Sequence, residues 1–153
     1  MFTVNHQTNR ISPVKTKRFS ELGFTERKHL QEWLAHEPSA LGEELLIIQK
    51  EFDGFDDTRE RLDLLALDKD GNLVIIENKL DDSGRDVVWQ ALKYASYCAS
   101  LTKAQVVEIY QQYLDRYEPV TGEVDLLNAP ASAALSASQR ICEFLDAPDL
   151  DEL

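Results

Sequence analysis

Two runs fix what this chain can fold into: Arg61-Leu62-Asp63-Leu64-Leu65-Ala66-Leu67 and, after a short turn, Leu73-Val74-Ile75-Ile76-Glu77-Asn78-Lys79. Each is apolar at alternate positions on both faces, so each reads as a strand buried on both sides. Yet the first carries an aspartate, and the second ends in a glutamate and a lysine two residues apart. Charges are costly to bury unless they are paired or bind a metal. Asp68-Lys69-Asp70-Gly71-Asn72 suits a three-residue hairpin loop, a type I turn followed by Gly71 in the left-handed region. That loop sets Leu67 opposite Leu73, Leu65 opposite Ile75 and Asp63 opposite Glu77. Lys79 falls on the same face, because side chains alternate with period two. A two- or four-residue loop would put the two carboxylates on opposite faces. Side by side, they repel unless a cation sits between them. The alternative is a surface hairpin with a cross-strand ion pair, which the apolar flanks on both faces disfavour.

The 153 residues suffice for one domain with a core. No apolar run approaches the roughly 20 residues that span a bilayer, and Met1–Ser20 does not resemble a signal peptide. Cys98 and Cys142 lack metal-ligand spacing and suggest no disulfide framework, so two free thiols in a reducing cytoplasm are expected. His6, His29 and His36 form no metal motif and are expected at the surface. Net charge is −12, unevenly spread: residues 1–30 hold six Lys/Arg against two Glu, a balance of +4, which leaves −16 on the rest. Such acidity argues against a protein that coats nucleic acid non-specifically, since phosphate contacts supply most of that affinity. It leaves room for an enzyme with a local basic approach, and Lys17 and Arg18 in the Arg10–Arg18 cluster are the candidates; a solvated basic arm is the simpler alternative.

Along the chain, residues 1–20 read as a basic arm with a short strand at Met1–Val4. A helix is expected from Thr25 as N-cap to before Pro38, with Leu30, Trp33 and Leu34 facing the core. Glu26 lies within that stripe, as a dipole partner or as a site residue; Glu32 points away. Leu45–Phe52 reads as a strand, and Asp53–Asp57 as a turn. After Lys79, Asp81–Gly84 breaks the chain, and Ser83 is the expected cap of a helix. Val88, Ala91, Leu92, Ala95, Cys98 and Ala99 form its expected buried stripe, with Gln90, Tyr94 and Tyr97 on a neighbouring face. Thr102 caps a further helix through about Tyr117, although Val106–Tyr110 also suits a strand. Residues 118–135 are loop-like, Ser138–Asp146 suits a short helix, and the end is acidic. Trp33 and Trp89 read as core or rim aromatics rather than base-stacking platforms. This divides the chain into a basic arm (1–20), a core (21–117) and an acidic extension (118–153) that could lead into a further segment.

The order helix, three strands, helix, with Glu26, Asp63, Glu77-Asn78-Lys79 and Gln90-x-x-x-Tyr94 along it, resembles the PD-(D/E)XK nuclease superfamily over roughly residues 24–97. Within it, the chain is similar to the nuclease domains of mismatch- and single-strand-specific endonucleases, and to N-terminal domains of bacterial proteins without assigned function. The resemblance implies an α/β fold with a restriction-endonuclease-like core, a mixed central sheet flanked by helices. It implies an endonuclease that hydrolyses DNA phosphodiesters with Mg2+ or Mn2+, in repair or in defence against foreign DNA. Asp63 and Glu77 would hold the metal, with the Asn78 backbone carbonyl as a third oxygen. Lys79 would orient the attacking water and stabilise developing charge. Glu26 would be an outer or second-metal ligand, Gln90 would fix substrate or the lysine, and Tyr94 would touch substrate. The superfamily also implies a fourth strand, which Gln105–Tyr110, a segment beyond Leu153 or a partner would supply, and a homodimer that cuts both strands. The alternative from another class is a nuclease-like scaffold that recognises nucleic acid or protein without cleaving; an unrelated α/β interaction protein would leave the buried charges unexplained.

Overall fold

The computed structural model describes residues 1–54, 60–80, 86–118 and 136–150. The arm forms an exposed antiparallel hairpin of β1 (Phe2–Asn5) and β2 (Arg10–Pro13), a strand more than its sequence announces. The central sheet has the order β3 (Leu46–Phe52), β4 (Leu62–Leu67), β5 (Leu73–Ile76), antiparallel throughout. The mixed sheet expected from the resemblance is therefore not what the described residues form. Val106–Tyr110 lies within a helix, so no fourth strand joins this sheet among the described residues.

The hairpin register is the one the loop dictates. Leu67 pairs with Leu73, Leu65 with Ile75 and Leu64 with Ile76. Gly71 adopts φ +79°, and its N–H donates to the Asp68 carbonyl at 3.1 Å. The Asp68 carboxylate accepts the N–H groups of Asp70 (2.9 Å) and Asn72 (2.8 Å), which locks the turn. β4 is central, and Leu62, Leu64, Leu65 and Ala66 are fully buried. β5 is only half-buried along its length, because no described strand covers its far edge.

On one side of the sheet, the chain from Glu26 to Leu30 makes a single wide turn, with Leu30 N–H reaching Thr25 O at 3.3 Å, and runs into α1 (Gln31–His36). Leu34 packs on the core, but Trp33 is 40% exposed and joins an aromatic cluster with Phe19, Phe24 and His29 instead of facing the sheet. Glu32 is exposed, off the core stripe as expected, yet its carboxylate clasps the buried Lys50 of β3 at 2.8 Å, and Lys50 also lies over the Tyr117 ring.

α2 (Val87–Cys98) buries Tyr94 and Cys98, with Val87, Gln90, Ala91 and Tyr97 half-buried beside them. The apolar stripe expected inward is rotated: Val88, Leu92, Ala95 and Ala99 are exposed, and Trp89 is 73% exposed. Tyr94 decides the orientation, since its hydroxyl must find a partner when buried and donates to Arg61 O at 3.0 Å. Ser83 lies outside the described residues, and Asp86 occupies the cap position of the helix as it stands, without a side-chain cap bond. α3 (Lys103–Tyr117) begins at Thr102 with a reciprocal Thr102–Gln105 capping box, and α4 (Ala137–Leu145) repeats the device with Ser136 and Gln139. Ile109, Tyr110, Tyr113 and Leu114 of α3, with Ala137 and Ile141 of α4, complete the core. No described helix is long and apolar enough to cross a membrane.

Candidate functional site

Three carboxylates lie in a row across the sheet. Lys50 pairs with Leu64 and Phe52 with Leu62, so Glu51 of β3 stands across from Asp63 of β4. The register Leu64–Ile76 carries Asp63 on to face Glu77, just past the end of β5. Directly opposed residues share a face, and the row is flanked by Lys79 on one side and Arg27 on the other. A fourth acid arrives from the wide turn before α1: Glu26 Oε1 accepts the Leu80 N–H at 2.6 Å. Glu26 therefore holds the backbone directly after Lys79, and the inward direction expected for it is observed.

Asp63 is half-buried, and its Oδ2 accepts the Asn78 N–H at 2.7 Å. Burial pushes its carboxyl up to about 6; the Asn78 bond and Lys79 pull the other way, while Glu77 and Glu51 add to the rise. Glu77 is nearly sealed, its side chain 6% exposed. Its Oε1 meets Lys79 Nζ at 2.7 Å, whereas Oε2 is buried with no hydrogen-bond donor among the described residues. Partial burial works against the charge on Lys79, but the Glu77 contact and the fields of Glu77, Asp63 and Glu26 outweigh it and hold the ammonium above its ordinary range. Asn78 is buried as well, its backbone N–H spent on Asp63 and its side-chain Nδ2 without a partner among the described residues.

The other expected site residues divide. Gln90 is half-buried one turn before Tyr94 on the same side of α2; its N–H donates to Asp86 O at 3.0 Å, and its side-chain amide has no hydrogen bond among the described residues. Tyr94 lies in the field of Glu77 and Asp63, but burial above all pushes its phenol up to about 12. It is 3% exposed, so it ties α2 to the start of β4 and is not a substrate-facing group. Lys17 and Arg18 are exposed, and no contact links them to the carboxylates among the described residues.

Two residues escape the sequence reading. Glu51 adopts φ +52°, a left-handed conformation that is unusual outside glycine, and sits 2.7 Å from Arg27 Nε. Extending the hairpin register to a third strand would have placed Glu51 beside Asp63, but a bulge between Ile47 and Gln49 hides that register from simple counting.

Among the described residues, no three His, Cys, Asp or Glu side chains converge closely enough to enclose a metal by themselves. Magnesium does not require such a cage: it is held by one or two carboxylates, with waters and substrate phosphate completing the octahedron. A buried carboxylate oxygen without a donor (Glu77 Oε2), beside a carboxyl that burial pushes up to about 6 (Asp63), is the donor set such an ion would satisfy. Set against family models, curated proteins and solved structures, the chain matches none.

Proposed function

We propose that this chain is a metal-dependent endonuclease that hydrolyses phosphodiester bonds in DNA. The observation that carries the proposal is the orphaned, buried Oε2 of Glu77, a residue whose register places it across the hairpin from Asp63, with Lys79 at the same edge. Asp63 and Glu77 would hold Mg2+ or Mn2+, with the Asn78 carbonyl as the further oxygen. When bound, the ion supplies Lewis acidity at a phosphoryl oxygen and a water acidic enough to ionise near neutral pH.

The chain's own residues supply the rest. Lys79 stays protonated throughout the neutral range, because its neighbours raise its pKa. Its ammonium, 2.7 Å from Glu77 Oε1, would donate to a non-bridging phosphate oxygen as a compact point charge. Glu26 fixes the Leu80 amide and so the direction in which Lys79 leaves the strand. The Asn78 N–H holds Asp63 Oδ2 in place and leaves its other oxygen for the ion. Gln90, with its amide uncommitted among the described residues, orients substrate from α2.

Cleavage of duplex, single-stranded and mismatched DNA in Mg2+ or Mn2+ tests the proposal. The wild type cuts at least one of them, and Glu77→Gln and Lys79→Met each lose on the order of 10²–10³-fold in rate with melting unchanged. A folded wild type that cuts none of them in either metal overturns it. The net charge of −12 would then favour a scaffold that binds without cleaving.

A further inference from the structure

Four carboxylates (Glu26, Glu51, Asp63 and Glu77) surround this site, against two cations, Lys79 and Arg27. A phosphodiester approaching it meets a field of its own sign. Lys79 lies at the inner end of the row against Glu77 at 2.7 Å, and Arg27 is the more exposed cation at the other end. The Arg27 side chain is 67% exposed, whereas Glu51 beneath it is 16% exposed. The 2.7 Å contact is Coulombic: Arg27 Nε–H is not aimed at Glu51 Oε1, which is buried and accepts no hydrogen bond among the described residues. The Arg27 guanidinium makes no hydrogen bond among the described residues either, so its donors are uncommitted while its charge is paired with Glu51.

That combination differs from an ordinary surface ion pair, which is mobile and worth little. A guanidinium carries five donors in a planar fork matched to phosphate. Fixing its charge over a buried carboxylate removes much of the freedom it would otherwise lose on binding. The left-handed backbone at Glu51 points to the same end, since strained non-glycine residues concentrate where a side chain has to be aimed. Arg27 also follows Glu26 directly, on the wide turn that carries Glu26 to the Leu80 amide, so its base is fixed relative to Lys79.

We propose that Arg27 binds the DNA phosphate entering the site and that Glu51, placed across from Asp63, is the positioning residue that holds Arg27 there. This rests on the nuclease proposal above for the identity of the anion. The bland alternative is that Arg27 merely neutralises a half-buried glutamate.

The two differ in sign. Removing the negative charge of Glu51 without a bracing role would strengthen binding of an anion; removing a brace weakens it. The measurement is fluorescence anisotropy of a labelled DNA oligonucleotide with the full chain in EDTA, across a salt series, where cleavage cannot occur. Arg27→Gln is expected to raise Kd about tenfold and to lower the salt slope by about 0.7–0.9, the loss of one phosphate contact. Glu51→Gln is expected to raise Kd about threefold, and the double variant to be no weaker than Arg27→Gln alone, because both changes remove one unit. In metal, Arg27→Gln raises KM more than it lowers kcat. The exposed position of Arg27 keeps that variant folded, so the test stands even if Glu51→Gln unfolds. An unchanged Kd and slope for Arg27→Gln, tighter binding by Glu51→Gln, or no binding by the wild type overturns the proposal. Binding that follows this pattern in a chain that never cleaves overturns only the nuclease activity.

Discussion

Asp63 is where sequence and environment meet most sharply. Its position opposite Glu77 follows from the loop length alone, because the Gly71 turn sets the register and the register sets the face. Its protonation does not, since that depends on how deeply the third strand and Glu51 enclose it. With the folded pKa raised to about 6 from 3.8, the native state binds the proton more tightly than the unfolded chain does. The stabilisation this gives is complete below pH 3.8 and is lost as pH rises through 6. Asp63→Asn, which keeps an acceptor for the Asn78 N–H, removes the titration. In EDTA the variant should match the wild type near pH 4 and exceed it by about 1–2 kcal/mol at pH 7.5, after discounting for partial exposure. Urea unfolding at the two pH values measures this, and a variant that is less stable at pH 7.5 would show that Asp63 is already ionised and well paired.

At the scale of elements, what could be read in advance depended on how local the deciding interaction was. α4 is capped by Ser136, two residues ahead of the Ser138 that the sequence suggests as its start. The hairpin is set by five consecutive residues and the start of α3 by its Thr102 cap, so both are legible. α2 is not: counting apolar residues turns Val88 and Leu92 inward, but one tyrosine hydroxyl bound to Arg61 O, thirty-three residues away, rotates the helix. The helix from Thr102 through Tyr117 is the expected one; the strand that β-branched Val106, Val107 and Ile109 also suit does not form, because the helix buries Ile109 and Tyr110. The hairpin's own determinant can be checked. At Gly71 an added Cβ would meet only Leu145 Cδ1 at 3.8 Å, an ordinary contact, so the cost of Gly71→Ala comes from the left-handed backbone. The expected loss is about 1 kcal/mol in urea unfolding, with the oligonucleotide affinity unchanged. A loss several times larger, together with a lost site, would mean that the strands had slipped register.

Over the whole molecule, charge is the organising variable. The chain carries −12, and at one sheet end it gathers Glu26, Glu51, Asp63 and Glu77 around two cations instead of dispersing them. Such crowding destabilises the compact state by self-repulsion unless something cationic binds there. A ligand that binds only the folded state stabilises it by RT ln(1 + [L]/Kd), about 1.4 kcal/mol at ten times Kd. For a chain of this length that corresponds to a rise in Tm of about 3–6 °C. Mg2+ or Mn2+ should therefore raise the melting temperature by that amount beyond NaCl of matched ionic strength. Glu77→Gln should abolish the rise by removing the orphaned oxygen. Asp63→Asn should abolish it too, although that variant starts from a higher Tm than the wild type in EDTA at pH 7.5. The two effects have opposite signs at one residue, which separates a site built for a cation from one stabilised by its own ion pairs. If divalent ions give no more than matched NaCl, the carboxylates are balanced within the protein and the metal-dependent chemistry has no place to occur.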